Sequence, residues 1–217
     1  MTERRHRLVL ATHNEHKVHE LEQILGDLVD DLGLEIVSAA AFPDVPETPE
    51  TEVTFVGNAR LKAAALASAT GLPAVADDSG LAVDVLGGSP GVFSARWSGS
   101  TSGAAATRHQ RDAANLALLL EQVSDVPDAH RGAAFRCAAV LVMPDGREEI
   151  AEGEVRGHLI RAPRGTNGFG YDPAFVPEGD NRTLAEYSDA EKNAISHRGR
   201  AFRELSPRLA DALRPLG

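Results

Sequence analysis

A chain of 217 residues and 23.0 kDa is long enough to bury roughly 70–75% of its unfolded surface, so it needs no disulfide or metal staple. At 42% hydrophobic and 25% charged residues it is neither disordered nor fibrous, and a lone cysteine, Cys137, excludes an internal disulfide. The net charge of −10 argues against a nucleic-acid polymer or an anionic membrane as partner, while a small anion in a locally basic or metal-bearing site stays open.

The basic N-terminus leads into Arg7 to Thr12, which reads as a buried first strand. That stretch is too short for a signal peptide, and the apolar run Cys137 to Met143 is far short of the ~20 residues of a membrane span. A cytoplasmic protein is expected. Residues 15–28 carry Val18, Leu21, Leu25 and Leu28 at helical spacing, and a strand follows at Leu34–Val37. The acidic stretch Ala41 to Glu52 holds three prolines and reads as loop. An Ala-rich helix is expected over Ala59 to Ala69, stopped by Gly71. Two strands, Ala74–Ala76 and Leu81–Val85, are expected to flank a turn at Asp77-Asp78-Ser79-Gly80.

A Gly/Pro turn at Gly87 to Gly91 precedes a helix from about Arg108 to Gln122. Two long strands, about Ala133 to Met143 and Arg147 to Val155, are joined by Pro144-Asp145-Gly146, a strong hairpin signal. After a Gly-rich loop, Gly165 to Asp172, a final helix runs from about Ser196 to Leu213. Strand–helix alternation followed by a hairpin indicates an α/β fold with a mixed sheet, in two lobes with a cleft between them.

The basic residues are unevenly divided. Nineteen are Arg and only three are Lys, at 17, 62 and 192. A GC-rich genome drives exposed Lys toward Arg, so the survivors are either chance or candidates for positions where a compact ammonium fits and a planar fork does not.

Four segments carry candidate chemistry. The first strand runs into Thr12-His13-Asn14-Glu15-His16-Lys17 at a helix start, where backbone N–H groups suit a phosphate chain, although Thr12 or Asn14 could simply cap the helix. His13, His16 and His19 diverge around a helix and read as solvated surface, not as one tetrahedral metal site. Asp77-Asp78-Ser79-Gly80 could hold Mg²⁺ between adjacent carboxylates or be an ordinary turn. Gly168-Phe169-Gly170-Tyr171-Asp172 places an aromatic between glycines, either as a base-stacking face or as a core residue. Lys192 and Ser196-His197-Arg198-Gly199 make a helix start electropositive.

Taken in order, these segments resemble the inosine/xanthosine triphosphate pyrophosphatase family. The resemblance runs through Thr12-x-Asn14-x-x-Lys17, Thr54-Phe55-Val56-Gly57-Asn58-Ala59 with Lys62, and Ala76-Asp77-Asp78-Ser79-Gly80-Leu81. It continues through Gly87-Gly88-x-Pro90-Gly91-Val92-x-Ser94-Ala95-Arg96, Gly168 to Pro173 and Ser196 to Gly199. It implies one elongated mixed α/β domain over residues 1–217 with its active site in the cleft, as a homodimer. The implied activity is Mg²⁺-dependent hydrolysis of ITP, dITP or XTP to the monophosphate and pyrophosphate. The alternatives are a pyrophosphatase for other modified nucleotides and a catalytically silent nucleotide-binding protein.

Residue by residue, the resemblance implies that Thr12, His13, Asn14, Glu15, His16 and Lys17 contact the phosphates. Asp78 is the general base and a metal ligand, Lys62 assists catalysis, and Ser79 touches the substrate. Phe169, Gly170, Tyr171, Asp172, Lys192, His197 and Arg198 form the base and sugar pocket. One departure stands out. The family's Glu-Asn-Ala is here Gly57-Asn58-Ala59, which removes a carboxylate near the metal; Glu50 or Glu52 in the acidic loop is expected to replace it, with Glu50 the assigned second ligand.

Overall fold

Six strands form one mixed sheet in the order β2-β1-β3-β4-β5-β6. They are β1 (Arg7–Leu10), β2 (Glu35–Ser38), β3 (Ala74–Val83), β4 (Gly132–Val142), β5 (Glu148–Leu159) and β6 (Phe175–Pro177). β1 is parallel to β2 and to β3, with Leu10 level with Val75, while β5 and β6 are antiparallel. The helices are α1 (Glu15–Ile24), α2 (Gly26–Leu32), α3 (Phe55–Thr70), α4 (Arg108–Gln122), α5 (Asp189–Ile195) and α6 (His197–Leu213). The structure, a computed structural model, describes residues 6–12, 15–99 and 107–214, less the side chains of residues 15–17, 19, 20 and 27. No helix among the described residues is long and apolar enough to cross a membrane.

The chain divides into two compact units, one of Met1–Asp78, Cys137–Gly153 and Arg198–Gly217, the other of Ser79–Arg136 and Glu154–His197. In the first, side chains alternate between two cores. Leu8, Leu10, Val75, Cys137, Ala139 and Leu141 pack with Leu21 and Leu25 and with Phe202 and Leu205 of α6. The residues between them, Val9, Ala74, Ala76, Val140 and Val142, pack instead with Ala59, Ala63, Leu66 and Ala67 of α3. A period of two with both phases apolar is the mark of strands covered on both faces. In the second unit Leu81, Val83, Phe135, Val155 and Leu159 pack with Leu116, Leu119 and Val123.

Several boundaries depart from the sequence expectations. The helix expected over 15–28 breaks at Leu25 and resumes as α2. α3 starts four residues before the expected Ala59, because the Thr54 hydroxyl accepts the Gly57 N–H at 3.0 Å and caps it. The expected turn at Asp77–Gly80 is absent, and β3 runs straight through it. What resembles turn composition answers tertiary demands: both aspartates take side-chain partners, and Gly80 lies against Ser94 and the Gly91 carbonyl, where a Cβ would collide with both. Ser94 Oγ in turn accepts the Leu81 N–H at 2.9 Å. The short β6 and α5 stand where the sequence pattern marks no element. The hairpin stands as expected, with Met143 N–H bonded to the Arg147 carbonyl at 2.8 Å.

The second unit contains one unusual buried group. Arg131 is 1% exposed, and its guanidinium donates to main-chain carbonyls of Leu159 at 2.9 Å, Ile160 at 3.2 Å and Val123. It thereby ties the C-terminal end of α4 to the end of β5. Arg131→Met would fill the volume but leave three carbonyls without that donor, each worth about 1 kcal/mol or more. The melting temperature should drop by roughly 5 °C or more in a thermal denaturation scan; an unchanged value would mean that solvent satisfies those carbonyls.

Candidate active site

The first unit places its polar residues where β1 reaches its C-terminal end beside the middle of its parallel neighbour β3. Two residues on from the Leu10–Val75 pair stand Thr12, just past the end of β1, and Asp77, within β3. Thr12 is buried, and its carbonyl accepts from Ser38 Oγ at 2.7 Å and from the Ala39 N–H at 3.1 Å. His13 and Asn14 lie outside the described residues. Glu15, His16 and Lys17 open α1, and their side chains also lie outside the description.

Asp77 and Asp78 are consecutive in a strand, so they leave it on opposite faces. Asp77 shares the phase of Val75 and meets α6, where Arg198 Nε and an NH₂ group donate to its Oδ2 at 3.1 and 2.9 Å. Asp78 shares the phase of Ala76 and meets α3. There Asn58 Nδ2 donates to Asp78 Oδ2 at 3.0 Å, and Lys62 Nζ lies 3.5 Å from Oδ1. The adjacent carboxylates therefore do not converge on one ion as a turn would have allowed. What converges with Asp78 is Glu50, whose Oε1 is 3.0 Å from the same Lys62 Nζ.

Asn58 and Lys62 are four residues apart and thus on one face of α3. Asn58 is fully buried, and its Oδ1 accepts the Glu52 N–H at 2.9 Å. One amide thus fastens the acidic loop to Asp78, a role that the motif alone did not reveal. Burial pushes the Asp78 carboxyl above the ordinary carboxylate range despite the opposing pull of Lys62, and Glu50 pushes in the same direction. Burial alone would depress the Lys62 ammonium, but Asp78 and Glu50 more than offset it and hold it above its usual value.

The second unit holds the aromatic loop. Phe169 is half exposed, with Lys192 Nζ 4.6 Å and the Arg108 guanidinium 4.8 Å from its ring centre. Asp172 is buried beneath it; its Oδ2 accepts the Phe169 N–H at 2.8 Å and pairs with Lys192 Nζ at 2.6 Å. Burial raises the Asp172 carboxyl, and Lys192 works against that shift. Gly168 has φ 74°, and a Cβ there would run into the Asp172 carboxylate, so glycine is required twice over.

Other expected site residues are placed differently. Tyr171 points into the core, its hydroxyl donating to the Ser94 carbonyl at 2.9 Å, and burial raises its phenol. Its side chain holds the loop down. His197 stacks on Phe135 at 5.0 Å between ring centres. Gly170 turns the loop with φ 61°, and Ser79 follows Asp78 in β3, partly exposed. Arg108 lies over the Phe169 ring, and Asn167 ties the base of the same loop to Tyr187 and Asp189, without any local motif to mark either.

The resemblance implies magnesium, and the donor set bears on that. Among the described residues no three His, Cys, Asp or Glu side chains are grouped to hold a metal by themselves. Glu50 and Asp78 supply two hard carboxylates beside one ammonium, and magnesium is commonly held by one or two carboxylates with the rest of its shell from water and phosphate. The residues fit such an ion.

Residues 8–208 match the model of the Ham1 family. The chain is 60% identical over 207 residues to the dITP/XTP pyrophosphatase of Streptomyces avermitilis, covering 95% of this chain and 98% of the relative. It is 53% identical over 203 residues to the Mycobacterium tuberculosis protein of the same name, covering 94% and 95%. Among solved structures, a HAM1 protein from Coxiella burnetii is 40% identical with a TM-score of 0.83, covering 95% of this chain and 99% of that one. The dITP/XTP pyrophosphatase from Mycobacterium abscessus is 50% identical with a TM-score of 0.74, covering 93% and 99%.

The Gly57 departure has a steric counterpart. Its φ is not positive, but a Cβ at Gly57 would sit 2.7 Å from Glu52 Cβ and 2.9 Å from Glu52 Cγ. Because the obstacle is the root of the Glu52 side chain, relief needs a backbone shift. Gly57→Glu should therefore cost the ~1–3 kcal/mol of stability typical of an overpacked site, read as a lower melting temperature. Glu52→Gly added to it should restore most of the loss. Equal melting temperatures for the single and double variants would show that Glu52 does not occupy the space.

Proposed function

The chain belongs to the Ham1 family, and from that premise we propose that it hydrolyses deaminated purine nucleoside triphosphates, dITP, XTP and ITP, to the monophosphate and pyrophosphate. The observation that carries this reading is Lys62 set between Glu50 and Asp78, with Asn58 fixing the aspartate. That arrangement supports an enzyme over a silent binder, because a carboxylate kept protonatable by burial and aligned by an amide is equipped to take a proton. One catalytic domain over residues 1–217, acting as a cytoplasmic homodimer, belongs to the same reading.

The residues divide the work. Thr12 to Lys17 and Lys62 take the polyphosphate, and Phe169, Lys192, Asp172, His197 and Arg198 take the base and sugar. Glu50 and Asp78 would hold a magnesium ion, which supplies charge neutralisation on the phosphates and a more acidic water. Asp78 accepts the proton of the attacking water as its oxygen bonds to phosphorus. The bridging P–O bond between the α- and β-phosphates breaks, and its electron pair leaves with pyrophosphate. The Lys62 ammonium stabilises the charge that builds up on the phosphate oxygens. Arg198, held by Asp77, offers donors to a 6-oxo group, which hypoxanthine and xanthine possess and adenine lacks.

The test is pyrophosphate release from dITP, XTP, dATP and dGTP with magnesium present, scored as kcat/KM. Preference for dITP and XTP is expected, and equal rates on all four would overturn the reading. Asp78→Asn keeps the shape and the acceptor for Asn58 but cannot take the proton, so kcat should fall by about 10²-fold or more. Lys62→Arg keeps the charge. Its planar fork cannot reproduce a point ammonium between two carboxylates, and kcat/KM should fall by about tenfold or more; a fully active arginine variant would refute that geometric requirement.

A further inference from the structure

Asn167 stands two residues before Phe169, outside every motif that carries the resemblance. Its side-chain amide donates twice: Nδ2 bonds to the Tyr187 carbonyl at 2.8 Å and to Asp189 Oδ1 at 3.0 Å. Tyr187 and Asp189 bracket the N-terminal cap of α5, where Ser188 and Glu191 form a capping box. Three residues on from Asp189, the same helix presents Lys192, which pairs with Asp172 and lies over the Phe169 ring. The main chain adds to the tie, because the Thr166 and Asn167 N–H groups both donate to the Ala185 carbonyl, at 3.2 and 3.0 Å.

These contacts close a ring. It runs from Asn167 along the loop to Phe169, through the Phe169 N–H to Asp172, across to Lys192, and back along α5 to Asp189. The distance between the aromatic face and the ammonium is thus set at two ends, by Asp172 near the ring and by Asn167 at the base of the loop. We propose that Asn167 is a positioning residue for base recognition, which holds the Phe169 loop in register with the Lys192 helix. The inference rests on the purine triphosphate reading given above.

Such a residue acts on binding of the base and not on the phosphorus chemistry. Asn167→Asp keeps the volume but turns a carboxylate acceptor toward two acceptors, and Asn167→Ala simply removes the donor. Each should raise KM for dITP by about tenfold, the size of one or two lost hydrogen bonds, with kcat within about twofold of the parent. Inorganic triphosphate carries the phosphate charge with no base, and its inhibition constant should stay at the parent value in both variants. Adding Asp189→Asn to Asn167→Asp reverses donor and acceptor across that contact and should recover part of the lost affinity. Unchanged KM in both single variants would overturn the inference while leaving the function intact, as would a triphosphate constant that worsens in step with KM, or a double variant no better than Asn167→Asp. A parent protein that releases no pyrophosphate from dITP would overturn the functional reading, and the inference with it.

Discussion

Consecutive side chains of a β-strand leave on opposite faces, and at Asp77 and Asp78 that constraint places two adjacent carboxylates against two different helices. Asp77 is committed to Arg198 at the start of α6, Asp78 to Asn58 and Lys62 on α3. Two like charges side by side in a buried turn would have competed for one environment and driven one carboxyl to hold its proton. Separation across the sheet gives each its own cation. It also gives each a different setting, an arginine at the start of α6 on one face and an amide with an ammonium of α3 on the other.

The packing of α3 follows from the same demand. Its face toward the sheet is nearly all alanine, with Ala59, Ala63 and Ala67 buried beside Val9 and Ala76. Small side chains bring the helix axis close to the strands, so that the short amide of Asn58 reaches Asp78 directly and Lys62 spans the gap to Glu50. A leucine-rich face would have buried more area, at about 25 cal/mol per Å², but would have held the helix too far out for asparagine. Here hydrophobic burial is traded for the reach of a polar side chain.

How far the site could be read from the sequence depended on the range of the interaction. Strands with both phases apolar, the hairpin at Pro144-Asp145-Gly146 and the glycine stop of α3 are encoded locally and were legible. Asp77 to Gly80 misled because its composition is that of a turn, while the partners that keep it extended are distant in sequence, Arg198 being 121 residues away. The start of α3 was hidden in a Thr54 cap preceded by prolines. Tyr171 sits within the aromatic motif yet serves the core, since only the fold reveals that its hydroxyl has Ser94 within reach. Asn167 belongs to no spacing pattern at all, because its partners lie across a loop.

The scarcity of lysine in an arginine-rich chain finds its physical sense in how the two cations are used. Arginine makes forked pairs at the surface: Arg60 gives two nitrogens to the two oxygens of Glu148, and Arg156 does the same with Asp84. In those settings a planar donor matches a planar acceptor. Lys62 instead faces carboxylates on two different segments, and Lys192 divides one ammonium between a buried aspartate and the face of a ring. Neither geometry presents a single plane for a guanidinium to match. A compact charge with three freely turning donors serves several partners at once. Codon pressure can strip lysine from solvent-exposed positions at little cost, but at these two positions the replacement would have to rebuild its surroundings.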